Sequence, residues 1–371
     1  VSRLNLHIIS LAIPYPPDYG GAIDIFYKIR ALHKLGIGIH LHCFEYGSRA
    51  RRKELEEYCT AVHYYARKTG IVSQLSLLPY ITYSRRSGEL LDRLKTNDYP
   101  ILFEGIHSAY LLLTQELRGR MVSLRSHNIE HDYYQYLAKR EKNLFKKLFF
   151  YIEAYRLRRL LARLPADLPI AAISPADTDY LKGRFTNAFW LPPFHSNEEV
   201  ETLTGTGNYA LYHGNLSVSE NHEVAEALIA SFRDKEIKLV IAGKAPSEKL
   251  HTLAGIATNI QIVADPDEPA MKELVRHAHV ILLPTHQPTG IKLKLIESLY
   301  RGRFCVANHA MVANTTLEEL VTIEETDFYA CTKTLMGRPI LNTDIERRKQ
   351  ALEARFNNLR NARLIVEKVN K

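Results

Sequence analysis

The sequence predicts an α/β protein built as two successive doubly wound domains, and three observations carry that expectation. At 371 residues the chain exceeds the size at which one hydrophobic core stops growing. Short apolar runs alternate with longer helical patterns, the signature of parallel strands covered by helices on both faces. That alternation comes in two sets, separated by a polar stretch at 192–207 that holds Pro192, Pro193, Gly205 and Gly207.

In the first set the expected strands are 4–13, 38–44, 61–65, 100–104, 121–125 and 169–173, with helices at 21–35 and 132–164. In the second they are 208–213, 237–242, 260–263, 279–283 and 303–307, with helices near 220–232, 246–256, 268–277 and 291–301. The domains are accordingly placed at 1–195 and 205–345, with 346–371 as a C-terminal helix that packs back on the first domain. Open parallel sheets bind ligands beyond the carboxyl ends of their strands, which is where the motifs below are sought.

A hydrophobic content of 46% is ordinary for a globular protein. No run approaches the roughly 18 apolar residues of a membrane span. The sequence opens on the strand-like run Leu4 to Ile9 without a charged leader, and Cys43, Cys59, Cys305 and Cys331 lack metal-ligand spacing. They read as reduced thiols, so a cytoplasmic location is expected. Residues 1–200 hold 28 Lys+Arg against 20 Asp+Glu, while 201–371 hold 21 of each, so the net charge of +8 lies in the first half. That asymmetry suits an anionic partner such as a membrane surface or a phosphorylated acceptor, or is an incidental solvated surface. No nucleic-acid module is visible.

Five segments could carry chemistry. In 'ISLAIPYPPDYGGAIDIFYKIRALHKLG' a strand leads through a Pro-rich loop to Gly20-Gly21 at a helix start, where backbone N–H groups favour an anion. A turn needing glycine is the other reading, and the absence of GxGxxG argues against a nicotinamide cofactor. 'RSHNIEH' (125–131) follows a strand and offers His127 as a hydrogen-bond donor to substrate, with Glu130 or His131 to orient it. His127 and His131 have metal-pair spacing but no third ligand. The basic segment 139–164 sets Leu144, Phe145, Leu148, Phe149, Ile152 and Tyr155 on one helical face, suited to an anionic membrane or to the core.

In 'ALYHGNLSVSENHEVAEALI' and 'KLVIAGKAPS', Gly214-Asn215 and Gly243-Lys244 end strands at one sheet edge, where a diphosphate and a cation can meet. The fifth segment is 'ILLPTHQPTGIKLKLIESLYRGRFCVA': Thr289-Gly290 leads into a helix with Lys292 and Lys294 at its start and Glu297 one turn on. Cations at a helix N-terminus oppose its dipole, so an anionic ligand accounts for them. The carboxylate can accept both hydroxyls of a ribose.

Taken in order, 'PYPPDYGGAIDIFYKIRALHKLG', 'SHNIEH', 'AISPADTDYL', 'LYHGNLSVSEN' and 'PTGIKLKLIESL' resemble glycosyltransferase family 4 and its retaining GT-B relatives over essentially the whole chain. The last segment looks like the family's 'GGTRLKxLEA' donor signature. The resemblance implies two Rossmann-like domains facing each other across a cleft, and metal-independent sugar transfer with retention from a nucleoside-diphosphate sugar to a glycan or lipid-linked acceptor. It implies that Gly20, Gly21 and Asn128 lie on the acceptor side and that His127 contacts the transferred sugar. It further implies that Lys244 and Lys294 stabilise the departing diphosphate, and that Gly214, Asn215, Gly243, Thr289, Gly290, Lys292 and Glu297 bind the donor. No cofactor or metal is expected.

Two departures stand out. The family's first signature glutamate is Thr289 here, and Asn215 and Asn221 replace an Arg and a Lys. A nucleotide-sugar-binding protein without turnover, and a GT-B epimerase or hydrolase, are therefore kept as alternatives. The Asp177/Asp179 and Asp265/Asp267 pairs resemble metal motifs but fall outside the expected places, and are read as chance.

Overall fold

The computed structural model describes residues 4–47, 49–286 and 290–369. The chain divides into two compact units, Val1–His195 with Phe356–Lys371, and Ser196–Arg355. In the first unit the strands are β1 (Asn5–Ser10), β2 (Gly38–Glu45), β3 (Ala61–Ala66), β4 (Ile101–Glu104), β5 (Val122–Ser126), β6 (Ile170–Ala172) and β7 (Ala188–Trp190). They lie in the order β3-β2-β1-β4-β5-β6-β7 with every pairing parallel. Successive residues of a strand point to opposite faces. Ile8, Leu102 and Ala171 thus enter one apolar core while Ile9, Phe103 and Ile170 enter another. Both faces are covered, as an all-parallel sheet requires.

The second unit repeats the plan with β8 (Ala210–Asn215), β9 (Leu239–Lys244), β10 (Ile260–Ala264), β11 (Val280–Leu283), β12 (Phe304–Ala307) and β13 (Thr322–Ile323). Their order is β10-β9-β8-β11-β12-β13, again parallel throughout. The direction of winding reverses between β1 and β4 in one unit and between β8 and β11 in the other. A crevice opens beyond the strand ends at such a switch.

Three expectations need amendment. The strands Ala188–Trp190 and Thr322–Ile323 were not anticipated, because edge strands of three and two residues carry no readable period. The helix expected at 132–164 is two, Glu130–Arg140 and Leu144–Arg163, broken where the Asn143 side chain accepts from Lys146 N and starts the second. The final segment is also two helices, Asn342–Phe356 and Asn358–Val369. The break falls at Asn357, whose Oδ1 accepts from Arg360 N at 2.8 Å. Ala362, Ile365 and Val369 of the last helix join Leu6, Ile8 and Ile29 in the first unit's core.

Candidate functional site

In the second unit, the residues singled out from sequence gather at the β8/β11 switch. Gly214 and Asn215 end β8, and Lys244 ends β9 beside them with its side chain exposed. Gly243 is needed for the close approach of these two strands, since a β-carbon there would lie 1.8 Å from the Gly214 carbonyl oxygen. After β11 the chain passes Pro284 and Thr285 and returns at Gly290, which takes φ +72°, to start the helix Leu293–Arg301. Thr289 lies outside the described residues.

The first turn of that helix contains no acidic residue and holds Lys294. Lys292 Nζ donates to the Gly290 carbonyl at 2.8 Å. The Lys294 ammonium lies 5.4 Å from the centre of the Tyr212 ring, a cation–π contact. Burial pushes both lysines down to about 8, against a smaller opposing pull from Glu220. Glu220 Oε1 accepts from His286 N at 2.7 Å and from the Thr285 hydroxyl, so it also fixes the loop after β11. Glu297 is half-buried and burial raises its carboxyl pKa. It has no hydrogen-bond or ion-pair partner among the described residues.

The first unit holds a buried polar network at the ends of β4 and β5. Lys28 Nζ donates to Asp24 Oδ2 at 3.0 Å and to the Glu104 carboxylate at 2.7 and 2.9 Å. Arg125 grips Asp24 through two nitrogens at 3.0 and 3.1 Å, and Phe194 N donates to Asp24 Oδ1 at 2.8 Å. His127 lies at the rim, with Nε2 3.1 Å from Glu104 Oε2 and Nδ1 3.6 Å from Asp24 Oδ2. Asp24, Glu104 and His127 converge with the spacing of metal ligands, but Lys28 Nζ already supplies the cation between the two carboxylates. Lysine and arginine balance the two acids, so the donor set suits a closed ion network.

Residues 207–345 match the family model described as Glycosyl transferases group 1. Over that stretch the second unit is similar to a group 1 glycosyltransferase domain. The chain is 25% identical over 325 residues to a 44.6 kDa protein in the Klebsiella pneumoniae cps region, covering 81% of each. Its fold is similar to that of Anabaena Alr3699/HepE solved with UDP and glucose, at 12% identity and TM-score 0.64 over 99% of this chain and 100% of that one. It is also similar to the lipopolysaccharide outer core galactosyltransferase WaaB, at 13% identity and TM-score 0.59 over 98% and 99%. These similarities establish the GT-B class of two Rossmann-like units.

Within the second unit, Gly214, Asn215, Gly243, Lys244, Gly290, Lys292, Lys294 and Glu297 lie around one switch point or on the helix leading from it. Asn215 and Asn221 are engaged with each other and with the turn. Asn221 Nδ2 donates to the Asn215 carbonyl at 2.9 Å, while Asn215 Oδ1 accepts from Ser217 N and Oγ at 3.1 and 2.7 Å. Asp265 Oδ1 accepts from Ala245 N, and Asp267 caps the helix Glu268–His277. Sequence reasoning missed Glu220 and the buried His213, whose Nε2 lies 3.1 Å from Ser298 Oγ. Burial and then the Lys294 charge hold that imidazole at about 3.

In the first unit, Gly20 begins the helix Gly20–Lys34, and a β-carbon at Gly21 would touch the Tyr19 ring at 3.1 Å. Asn128 follows β5, with its carbonyl accepting from Ser126 Oγ at 2.9 Å. Glu130 lines a pocket with His127 and His131, and burial lifts its carboxyl to about 7. His131 Nε2 lies 2.9 Å from the Tyr180 hydroxyl. Sequence reasoning also missed Asp24, Lys28, Glu104 and Arg125. Asp24 and Lys28 stand four apart on a helix that is otherwise apolar at those positions, a signal that could have marked them.

Proposed function

We propose that the protein moves a sugar, with retention at the anomeric carbon, from a nucleoside-diphosphate sugar to a glycan or lipid-linked acceptor in cell-surface polysaccharide or glycolipid synthesis. The observation that carries the donor half is the pair Lys292 and Lys294, partly desolvated at a helix start, with a half-buried and unpartnered Glu297 one turn on. Helix N–H groups and two ammonium groups suit a diphosphate, and their charge aids its departure without a metal ion. A carboxylate lacking a protein donor suits ribose hydroxyls. Lys244 adds an exposed cation at the same edge. HepE has been solved with UDP and with UDP-glucose, and the Klebsiella relative comes from a cps region; both support this class of donor and pathway. Retention and the acceptor-side roles of His127, Asn128, Gly20 and Gly21 rest on the family resemblance.

Nucleoside diphosphates are expected to raise the melting temperature, because a ligand of the native state adds about 2.7 kcal/mol at a hundred times its dissociation constant. A nucleotide-sugar panel with lipid-linked acceptors should then yield a new glycosidic bond. No stabilisation by any nucleoside diphosphate would overturn the donor site. Binding without transfer would favour the non-catalytic alternative, which the neutral Asn215 and Asn221 support.

We further propose that the first unit rests on an anionic membrane. On the helix Leu144–Arg163 the inward residues are Glu153, Ala154, Leu157 and Leu160, while Phe145 is 86% and Leu148 58% exposed. A second limb is supplied by Ile71, Val72, Leu75 and Leu77, the last 94% exposed. The Arg156 guanidinium donates to the Gln74 carbonyl at 3.3 Å and ties the limbs together. Lys146, Lys147, Arg158 and Arg159 of the same helix supply positive charge that matches acidic lipid. Co-flotation with vesicles containing phosphatidylglycerol, but not with purely zwitterionic ones, is expected, and Phe145→Asp with Leu77→Asp should abolish it. A concentration-dependent dimer dispersed by the same changes, with no vesicle binding, would assign the surface to a second copy instead.

A further inference from the structure

The other buried arginine described in the first unit, Arg125, is neutralised, and the contrast singles out Arg85. Arg125 is held by the Asp24 carboxylate. Arg85 is nearly as enclosed, at 4% exposed, but its Nε donates to the Leu11 carbonyl at 2.8 Å and its Nη1 to the Ile81 carbonyl. Among the described residues Nη2 has no partner, and no carboxylate lies within ion-pair distance of the side chain. A largely enclosed cation without a counter-charge is costly unless something negative comes to it.

The surroundings add positive charge where compensation is expected. Arg67 Nε donates to Ser84 Oγ, next to Arg85, at 2.8 Å, and its guanidinium stacks 4.3 Å from the Tyr46 ring centre and 5.1 Å from that of Tyr80. Arg67 likewise lacks an ion-pair partner among the described residues. Burial, then the neighbouring Arg67 charge, holds Arg85 below the ordinary arginine value. Leu11, whose carbonyl Arg85 holds, converges with His107 and His127 on Gly105. A β-carbon there would lie 3.5 Å from Leu11 Cδ2, 3.0 Å from His107 Nδ1 and 3.5 Å from His127 Cδ2. Gly105 takes φ +74°, and His107 Nδ1 is buried without a hydrogen bond. These groups lie beyond the carboxyl ends of β1 and β4, at the switch point of the first unit's sheet.

We infer that Arg85 and Arg67, with the His107 ring beside them, form an oxyanion subsite in the first unit that takes a phosphoryl group of the acceptor. That the ligand is an acceptor rests on the transferase reading; the anion site itself does not. With Nε committed in both arginines, the Nη donors are what remain for a ligand. A tetrahedral dianion accepts single donors from several directions and balances two guanidinium charges, which a monovalent carboxylate does not.

Inorganic phosphate is the probe, with UDP as the ligand of the second unit and melting temperature as the readout. Phosphate should stabilise the full chain saturably. Arg67→Met should weaken that response about tenfold or more while leaving the UDP response intact. Lys294→Met should do the reverse. Arg85→Met is expected to act like Arg67→Met; if loss of the Leu11 anchor prevents folding, Arg67→Met decides alone. A phosphate response kept in Arg67→Met, or lost only in Lys294→Met, overturns the subsite. A phosphate response that depends on Arg67, in a protein that ignores every nucleoside diphosphate, keeps the subsite and removes the donor reading. Competition by a soluble hexose phosphate against a polyprenyl phosphate in vesicles distinguishes the two sources of the group.

Discussion

Asp24→Ala is expected to destabilise the protein by about 3–5 kcal/mol, the range for removing one partner of a buried ion pair. The carboxylate accepts four hydrogen bonds, one from Lys28, two from Arg125 and one from Phe194 N. Without it Arg125 keeps only the carbonyls of Leu191 and Pro192, and Lys28 keeps only Glu104. One buried positive charge then lacks compensation. The same change unties the helix Gly20–Lys34 from β5 and from the 191–194 stretch, so the effect reaches beyond one side chain. Urea denaturation at pH 7 measures it, and a loss below about 1 kcal/mol, the level of an exposed pair, would show that the network is not stabilising.

The pH dependence has a definite sign. Burial alone pushes the Asp24 carboxyl up, but the charges of Arg125 and Lys28 outweigh it and hold the group below its ordinary value. Glu104 is lowered in the same way by Lys28 and His127. A depressed folded pKa contributes stability that is complete above the unfolded value of about 4 and is lost as pH falls through the folded one. Wild type should therefore lose stability through the acid range more steeply than Asp24→Ala.

The plan of the fold was legible because parallel strands buried on both faces are short apolar runs, and Val280–Leu283 or Leu239–Ala242 announce themselves. The two edge strands were not, since Thr322–Ile323 has too few residues for any period. The residues proposed to hold the donor stand out in the sequence because glycines and lysines cluster at strand ends within a few positions of one another. The network of the first unit could not be read the same way. Its members come from positions 24, 28, 104, 125 and 127, and only the order of β1, β4 and β5 in the sheet brings them together. Arg85 reaches the carboxyl edge by gripping Leu11, 74 positions away, a contact that spacing does not encode. The apolar face of 144–155 was visible as a stripe. Whether it faced the core or solvent depended on Leu157 and Leu160, one turn later, taking the inward positions.

Lys294→Met is expected to weaken nucleoside-diphosphate binding by about 10–100-fold, the loss of a charge-assisted contact to phosphate. Its pH signature separates this role from a merely structural one. In the free protein burial holds Lys292 and Lys294 at about 8, below the ordinary lysine value. A bound diphosphate would raise both, so binding above pH 8 takes up protons and affinity falls as pH rises through about 8. Stability of the free protein runs the other way. Between about pH 8 and 10 the unfolded lysines keep protons that the folded ones have released, so these two groups make unfolding harder as pH rises. Titrations of UDP from about pH 7.5 to 10 in two buffers of different ionisation enthalpy would report the proton uptake directly. Lys294→Met should remove part of both slopes at once, reducing the uptake on binding and flattening the rise in melting temperature. A variant that lost affinity but kept the wild-type uptake would place the titrating charge elsewhere, with Lys244 the next cation at that sheet edge.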